Sequence, residues 1–560
     1  MDYKGLKIPI PFGKDGFTGS DDLDSLPAGA LKEAKNIRYD EGIVRKAGGM
    51  STYDANVVTG SPTALAGTDW WPTSSIQRQV TVWSNGKVYK EVSGDMDSVE
   101  LGTGFTFSNP VMLVPCGQEL VGNDRKLLMF SKGVAPQVLS GDGATISALA
   151  NVSANWSSTN QPAGGIMHDN RVVTFGNPAA PHDIEFSALD DHTNFKSSDP
   201  TDAAAFPLPA FSIMPGEAEG VNACFSIGTT RLYMFKYPTG IYFIDTDQMT
   251  SFVAPVTTVR KDIGVAGPMA ITKVGSLGTW FIGSDGHIYS LDMLNDPNAD
   301  IRDTCITKAK KLKKWIKDNV LPSRLGYARL IYDSNKGEVI ASYSKVGGSV
   351  NAICLVFDVN DPSNIRISTE DRGTYYNAMW FAKESNFYQQ LLTAGTGGLV
   401  YKMNQNNRLV GADGFLASAK SASNDLSYYS PELGDKNKRF DWLEIRSLTT
   451  GGTTDVNVDL YIDDRYYNTF SFASITGGSP LAGGSKLTSY TGDGANYGLT
   501  PNTLKLPFTL ARGGYVRRMI KIGGLGKRIA FRFYNSAANG DFGIGNVYLY
   551  CDPLISGAEV

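Results

Sequence analysis

Three histidines fall close together, each beside a carboxylate: His168-Asp169, His182-Asp183 and Asp190-Asp191-His192. Imidazole and carboxylate together can hold Zn²⁺. No two of these histidines have the i, i+4 spacing that sets two ligands on one helix face, so they read as loop histidines. Glycan cleavage needs a pair of set-apart carboxylates. Ser140-Gly141-Asp142-Gly143 comes near the Ser-x-Asp-x-Gly of a sialidase-type box, but Ala144 stands where glycine is required, and Ser284-Asp285-Gly286 has the wrong spacing. The acidic pairs Asp190-Asp191 and Asp463-Asp464 sit in turn-like polar stretches, where neighbouring acids are solvated. Gly523-Gly524-Leu525-Gly526-Lys527-Arg528 resembles a phosphate loop. It lacks a correctly spaced first glycine and the Ser/Thr after lysine, so a turn before a strand accounts for it. There is no Gly-x-Ser-x-Gly elbow for a serine nucleophile. These residues predict no catalytic site, no cofactor and no bound metal.

One dense run of a single charge sign stands out. Ile306, Ala309, Leu312, Ile316 and Val320 recur at steps of three or four, with six lysines among them. That spacing predicts an amphipathic helix at about 304–320, ended by Leu321-Pro322. The cationic side is either a solvated face or a contact surface for an acidic partner. Lys308, Lys310, Lys311, Lys313, Lys314 and Trp315 are the interface candidates.

What positions these residues is a β-rich chain. Among 560 residues, 61 are Gly and 11% are aromatic, which favours short strands between tight turns. At 42% hydrophobic and 19% charged, the chain can build cores. Lys+Arg is 52 against Asp+Glu at 56, so the basic excess of a protein that grips phosphate backbones is missing. A channel past which DNA slides would suit that balance. The five cysteines, at 116, 224, 305, 354 and 551, form no Cys-x-x-Cys and read as reduced, buried thiols. Met1-Asp2-Tyr3-Lys4-Gly5 has no apolar stretch of a signal peptide, and apolar runs such as 352–357 are too short to span a bilayer, so no membrane anchor is expected.

Between about residues 60 and 425 one pattern recurs: an apolar β-rich run, a Gly or Pro turn, and a second run. Turns centred at 86, 133, 178, 240, 286, 348 and 398 lie 47, 45, 62, 46, 62 and 50 residues apart. Repeats of about 40–50 residues are those of propeller blades, whose two apolar faces must be buried by neighbours. The expected fold class is all-β: a β-propeller of about seven blades, with six or eight also fitting, a C-terminal β-sandwich and one inserted amphipathic helix. Residues 1–60 read as an N-terminal arm and hairpin, 61–425 as the propeller with insertions at about 190–215 and 304–320, and 426–560 as the sandwich. In this last part Val456, Val458, Leu460 and Ile462 alternate with polar residues, as do Ile529, Phe531 and Phe533. Ring closure can borrow a strand from the N-terminal hairpin.

Leu26-Pro27-Ala28-Gly29-Ala30-Leu31 is followed by Asn36-Ile37-Arg38, then by Gly42-Ile43-Val44-Arg45-Lys46 and Gly48-Gly49. This stretch resembles the N-terminal signature of the tail nozzle, or tail tubular, proteins of short-tailed phages, with Asn36, Arg38, Gly42, Arg45, Lys46 and Gly49 as the matching residues. The order that follows also resembles the family: hairpins, then Lys436-Asn437-Lys438-Arg439 opening a β domain. The resemblance implies a structural virion protein assembled in the host cytoplasm. It implies a homohexameric ring that extends the DNA channel below the tail adaptor, contacts tail fibres or the tail needle, and retains and then releases genomic DNA without binding it tightly. In such a ring a gate is best built from a loop. The polar stretch Asp190 to Pro215 is the first choice, with Asn194, Phe195, Lys196 and Phe206 as candidates. The alternative is a receptor- or glycan-binding propeller of the tail, or a glycan hydrolase.

Overall fold

The structure, a computed structural model, describes residues 6–554 except 20–25, 41, 55, 93–94, 106–108, 118–124, 197–210, 218, 249–254, 295–304, 310–311, 374–375, 384–388, 406–408, 411–412, 435, 449–455, 473–514 and 538–539. It is nearly all-β, built of many small sheets. Two compact units interleave along the chain. Residues 50–365 and 369–405 form the larger, and residues 1–49, 366–368 and 406–560 the smaller.

In the larger unit, all seven hairpins expected from the sequence are present. Arg78–Trp83 pairs with Lys87–Val92, Lys126–Ser131 with Val134–Ser140, and Arg171–Asn177 with Ala180–Phe186. Arg231–Lys236 pairs with Ile241–Asp245, and Thr279–Ile282 with Ile288–Ser290. Glu338–Ser344 pairs with Asn351–Asp358, and Gln389–Ala394 with Val400–Gln405. The turn glycines serve a backbone need: Gly86 sits at φ +82 and Gly286 at φ +81, a region that costs a side chain strain.

Each hairpin is preceded by an antiparallel first strand. In order these are Ala64–Trp70, Val111–Cys116, Gly164–His168, Val221–Ile227, Ile271–Lys273, Arg329–Asp333 and Ala378–Lys383. The first four sheets add a fourth strand, Asp95–Thr103, Ser147–Ala148, Phe211–Ser212 or Val256–Arg260. In the last sheet that place beside Val400–Gln405 is taken by Gly49–Thr52, from the unit's other end. The amide of Tyr53 continues this pairing by donating to the Val400 carbonyl at 2.7 Å.

The apolar cores lie between sheets, so the hairpin strands are apolar on both faces. Val80, Val82, Leu127 and Met129 fill the gap between the first and second sheets. Val114, Phe130 and Val172 fill the next, and Val173, Phe175, Leu232 and Met234 the one after. Phe235 and Phe281 meet at 5.6 Å between the fourth and fifth, and Trp280 meets Phe357 at 5.9 Å between the fifth and sixth. The first strands of the sixth and seventh sheets are neighbours. A further core joins Ala64, Trp83 and Tyr89 of the first sheet to Trp380, Leu392 and Val400 of the last.

The smaller unit holds two sheets. In one the order is Tyr515–Gly526, Lys438–Leu448, Gly543–Pro553, Ile43–Lys46, Ile37–Asp40, with Leu6–Ile10 also on Gly543–Pro553. In the other, Ala30–Lys35, Ala417–Ser421, Ile529–Asn535, Val456–Ile462 and Arg465–Phe472 follow one another. The sheets pack together: Ala417–Ser421 lies against the 37–46 hairpin and Val456–Ile462 against Tyr515–Gly526. Phe12 stacks edge-on against Phe533 at 5.0 Å. The N-terminal arm and hairpin supply strands to both sheets.

The inserted helix comes in two pieces, Ile306–Ala309 and Lys313–Asn319. The stripe residues Leu312, Ile316 and Val320 are buried as the spacing predicts. The first piece is tied to the fifth sheet. Thr307 Oγ1 lies 2.8 Å from His287 Nδ1 and accepts from the Ile288 amide at 3.2 Å, and Cys305 bridges to Tyr289.

Candidate functional site

The motif residues from Asn36 to Lys46 lie in and around one hairpin of the smaller unit, Ile37–Asp40 with Ile43–Lys46. Asn36 has φ +53, a left-handed conformation that Asn tolerates better than most residues. It is fully buried, and its Nδ2 donates to the Leu416 carbonyl at 2.8 Å. Gly42 turns the hairpin at φ +82. Arg45 pairs with Asp40 across that turn at 2.5 Å, and Arg38 donates to the Ile37 carbonyl at 3.0 Å. Lys46 is 1% exposed. Its Nζ donates to the Ala537 carbonyl at 3.1 Å and sits 4.6 Å from the centre of the Phe415 ring. Gly49 is buried where the next strand begins.

Of the helix candidates, Lys313 and Lys314 are exposed, and Lys314 pairs with Asp318 at 2.7 Å. Trp315 is half-buried. Lys308 lies in the first helical piece, and Lys310 and Lys311 lie outside the described residues. Of the gate candidates, Asn194 caps a short turn by accepting from the Lys196 amide at 3.1 Å. Phe195 is 2% exposed and packs on Trp156 at 4.8 Å, so it fills a core, while Lys196 is exposed. Phe206 lies outside the described residues.

The near-miss box around Asp142 is a clasp between the first two sheets. Arg78 binds both carboxylate oxygens, at 3.2 and 3.0 Å, and Lys90 donates to one at 2.9 Å. Burial opposes ionisation of Asp142, but the two cations outweigh it and lower its pKa. His168 is buried between Ser226 at 2.7 Å and Thr246 at 3.0 Å, and burial lowers its pKa.

Three arrangements escaped the sequence reading. Glu444, on Lys438–Leu448, accepts from Lys7 at 2.9 Å, Tyr550 at 2.8 Å, Arg517 at 3.1 Å and Arg446 at 3.2 Å. Burial would raise its carboxyl, but these partners hold it at about 2. Glu217 is held likewise at about 2 against burial, by Tyr242, by Lys236 at 2.9 Å and by Lys261 at 3.3 Å. The third is a cavity of about 320 Å³ in the larger unit, to which first strands from all seven sheets contribute. Its partners come from positions up to 313 residues apart, a separation no local pattern reveals.

The smaller unit also exposes an aromatic edge. Arg465–Phe472 ends its sheet among the described residues, and residues 465–469 are all exposed. Tyr466 is 60% exposed and Leu525 62%, with Tyr467 between them against Gly524.

These elements define an all-β protein of small antiparallel sheets. No family model matches the sequence, and no curated protein matches it. Among solved structures, the crystal structure of Chaetomium thermophilum Raptor is similar at 10% identity and a TM-score of 0.38. The likeness covers 64% of this chain and 29% of the Raptor chain, and at that score it carries no functional argument.

Proposed function

We propose that the chain is a structural protein of a short-tailed phage tail, a nozzle subunit that extends the DNA channel below the adaptor and helps retain and then release the genome. In this reading the larger unit is a seven-bladed propeller and the smaller a β-sandwich. The cores between successive sheets, and the core joining the last sheet to the first, support the propeller. The tail assignment is carried by the 36–49 hairpin. Asn36, Gly42 and Lys46, three of the residues that carry the resemblance, each meet a distinct backbone or burial requirement there.

Subunits would associate head to tail and close as a hexamer, since heterologous contacts that close give rings. The edge at Tyr466, Tyr467 and Leu525, exposed among the described residues, is suited to such a contact, because an exposed aromatic strand edge invites a partner. The adaptor and the fibres or needle would be the other partners. DNA would pass without tight binding, and the protein would have no enzymatic role.

Electron microscopy of the purified protein, alone and with a tail adaptor protein, tests this. A sixfold ring at the distal end of the adaptor is expected. Particles that never form rings, together with antibody labelling away from the tail tip, would overturn the assignment. The same exposed tyrosines favour a second reading, a glycan-binding tail protein, because aromatic faces stack on sugar rings. Saturable binding on a glycan array, lost on Tyr466→Ser, would favour that reading.

A further inference from the structure

The cavity of the larger unit contains one charge. Its walls include Met112, Ile166, Phe225, Met269 and Met379, and Arg329 belongs to its lining. No carboxylate belongs to its lining. Arg329 Nη2 donates to the Leu65 carbonyl, and Nη1 lies against the Met269 sulfur. Nε is buried without a hydrogen-bond partner, and no ion pair reaches this arginine among the described residues. Burial lowers its pKa to about 10, which leaves it charged at neutral pH.

A guanidinium carries five N–H donors in a planar fork matched to a carboxylate. Here a carbonyl and a thioether supply dipoles but no compensating charge to a half-buried guanidinium, which an anion would complement. A hydrated inorganic ion would meet apolar walls. A carboxylate with a hydrocarbon body would satisfy both the fork and the walls. An apolar cavity of about 150 Å³ takes a benzene, so one of about 320 Å³ has room for roughly ten non-hydrogen atoms.

We propose that this cavity binds a medium-chain monocarboxylate, with its head group on Arg329 and its hydrocarbon body against Met112, Ile166, Phe225 and Met379. The cavity lies within one unit, so this site stands or falls independently of the tail assignment. The test uses the full-length protein titrated with sodium octanoate, followed by calorimetry and by thermal unfolding. One-to-one saturable binding is expected, with a rise of a few degrees in melting temperature at about 100 times Kd. Octanol, with the same chain and no charge, should bind about tenfold more weakly or worse, since hydrogen bonds to charged groups carry that much. Arg329→Met should lose octanoate affinity by at least about tenfold. If that variant fails to fold, Ile166→Trp, which fills the cavity and keeps the arginine, should abolish binding. No binding of octanoate by the wild type, equal binding of octanol, or unchanged binding in the folded variants would overturn the site.

Discussion

At the residue scale, two carboxylates tie segments of their units together, Glu217 through Lys236 and Tyr242 and Glu444 through Lys7, Arg446 and Arg517. Glu217 and Glu444 are both held at about 2, below the ordinary carboxylate value of 4.5. A carboxylate whose pKa is lowered by folding takes up its proton more readily in the unfolded chain, so its contribution is complete above about pH 4.5 and is lost as pH falls toward 2. Denaturant midpoints should therefore be flat from pH 7 to about 5 and fall steeply below 4. Glu444→Gln should cost about 3 kcal/mol at pH 7, because Lys7, Arg446 and Arg517 would then face a neutral amide. It should also flatten the acid limb of the profile. A cost below about 0.5 kcal/mol would show that solvent already screens the cluster. Lys46→Met should cost about 2 kcal/mol, since the Ala537 carbonyl would lose its charged donor.

At the element scale, contact between strands decides what a sequence position tolerates. Gly67 lies mid-strand, with no left-handed φ to explain it. A Cβ there would come within 2.5 Å of the Trp380 ring, which packs over it and donates to Gln79 Oε1 at 2.8 Å. Gly67→Ala should force that ring away and destabilise by about 1–3 kcal/mol, measurable as a lowered urea midpoint with an unchanged m-value. The two-piece helix yields a contrasting expectation. Lys313 and Lys314 point to solvent while Leu312 and Ile316 are buried. Changing both lysines to Glu should shift stability by less than about 0.5 kcal/mol, whereas Ile316→Ala should cost about 2–4 kcal/mol.

At the scale of the whole larger unit, one seam joins the two ends of the repeat array. Trp380 and Leu392 of the last sheet are buried with Trp83 and Tyr89 of the first, and Gly49–Thr52 completes the last sheet. In arrays of this kind each sheet contacts mainly its neighbours, so a break in one seam opens two edges. Trp380→Ala should cost about 3–5 kcal/mol and should raise proteolytic cleavage in the first and last sheets before the others. Cleavage spread evenly along the chain would show that the seam has no special role in closure.

The sequence by itself determined the all-β class, the seven hairpins and the buried stripe of the inserted helix. Those strands carry apolar side chains on both faces because they lie between two sheets, and their turns require Gly at positive φ, so both signals are local. The sequence also made the glycine turn at Gly42 legible, but not the left-handed backbone of Asn36. It did not reveal the first strands, such as Gly164–His168, whose glycines fit against Phe175 and Phe130 and leave no apolar alternation to detect. It did not reveal that the arm strand Ala30–Lys35 pairs with Ala417–Ser421, nor that Phe195 fills a core and not a loop tip. The Glu444 cluster and the Arg329 cavity belong to the same class. Their members are hundreds of residues apart, and only tertiary packing decides which carboxylate gains three cations and which guanidinium is left without one.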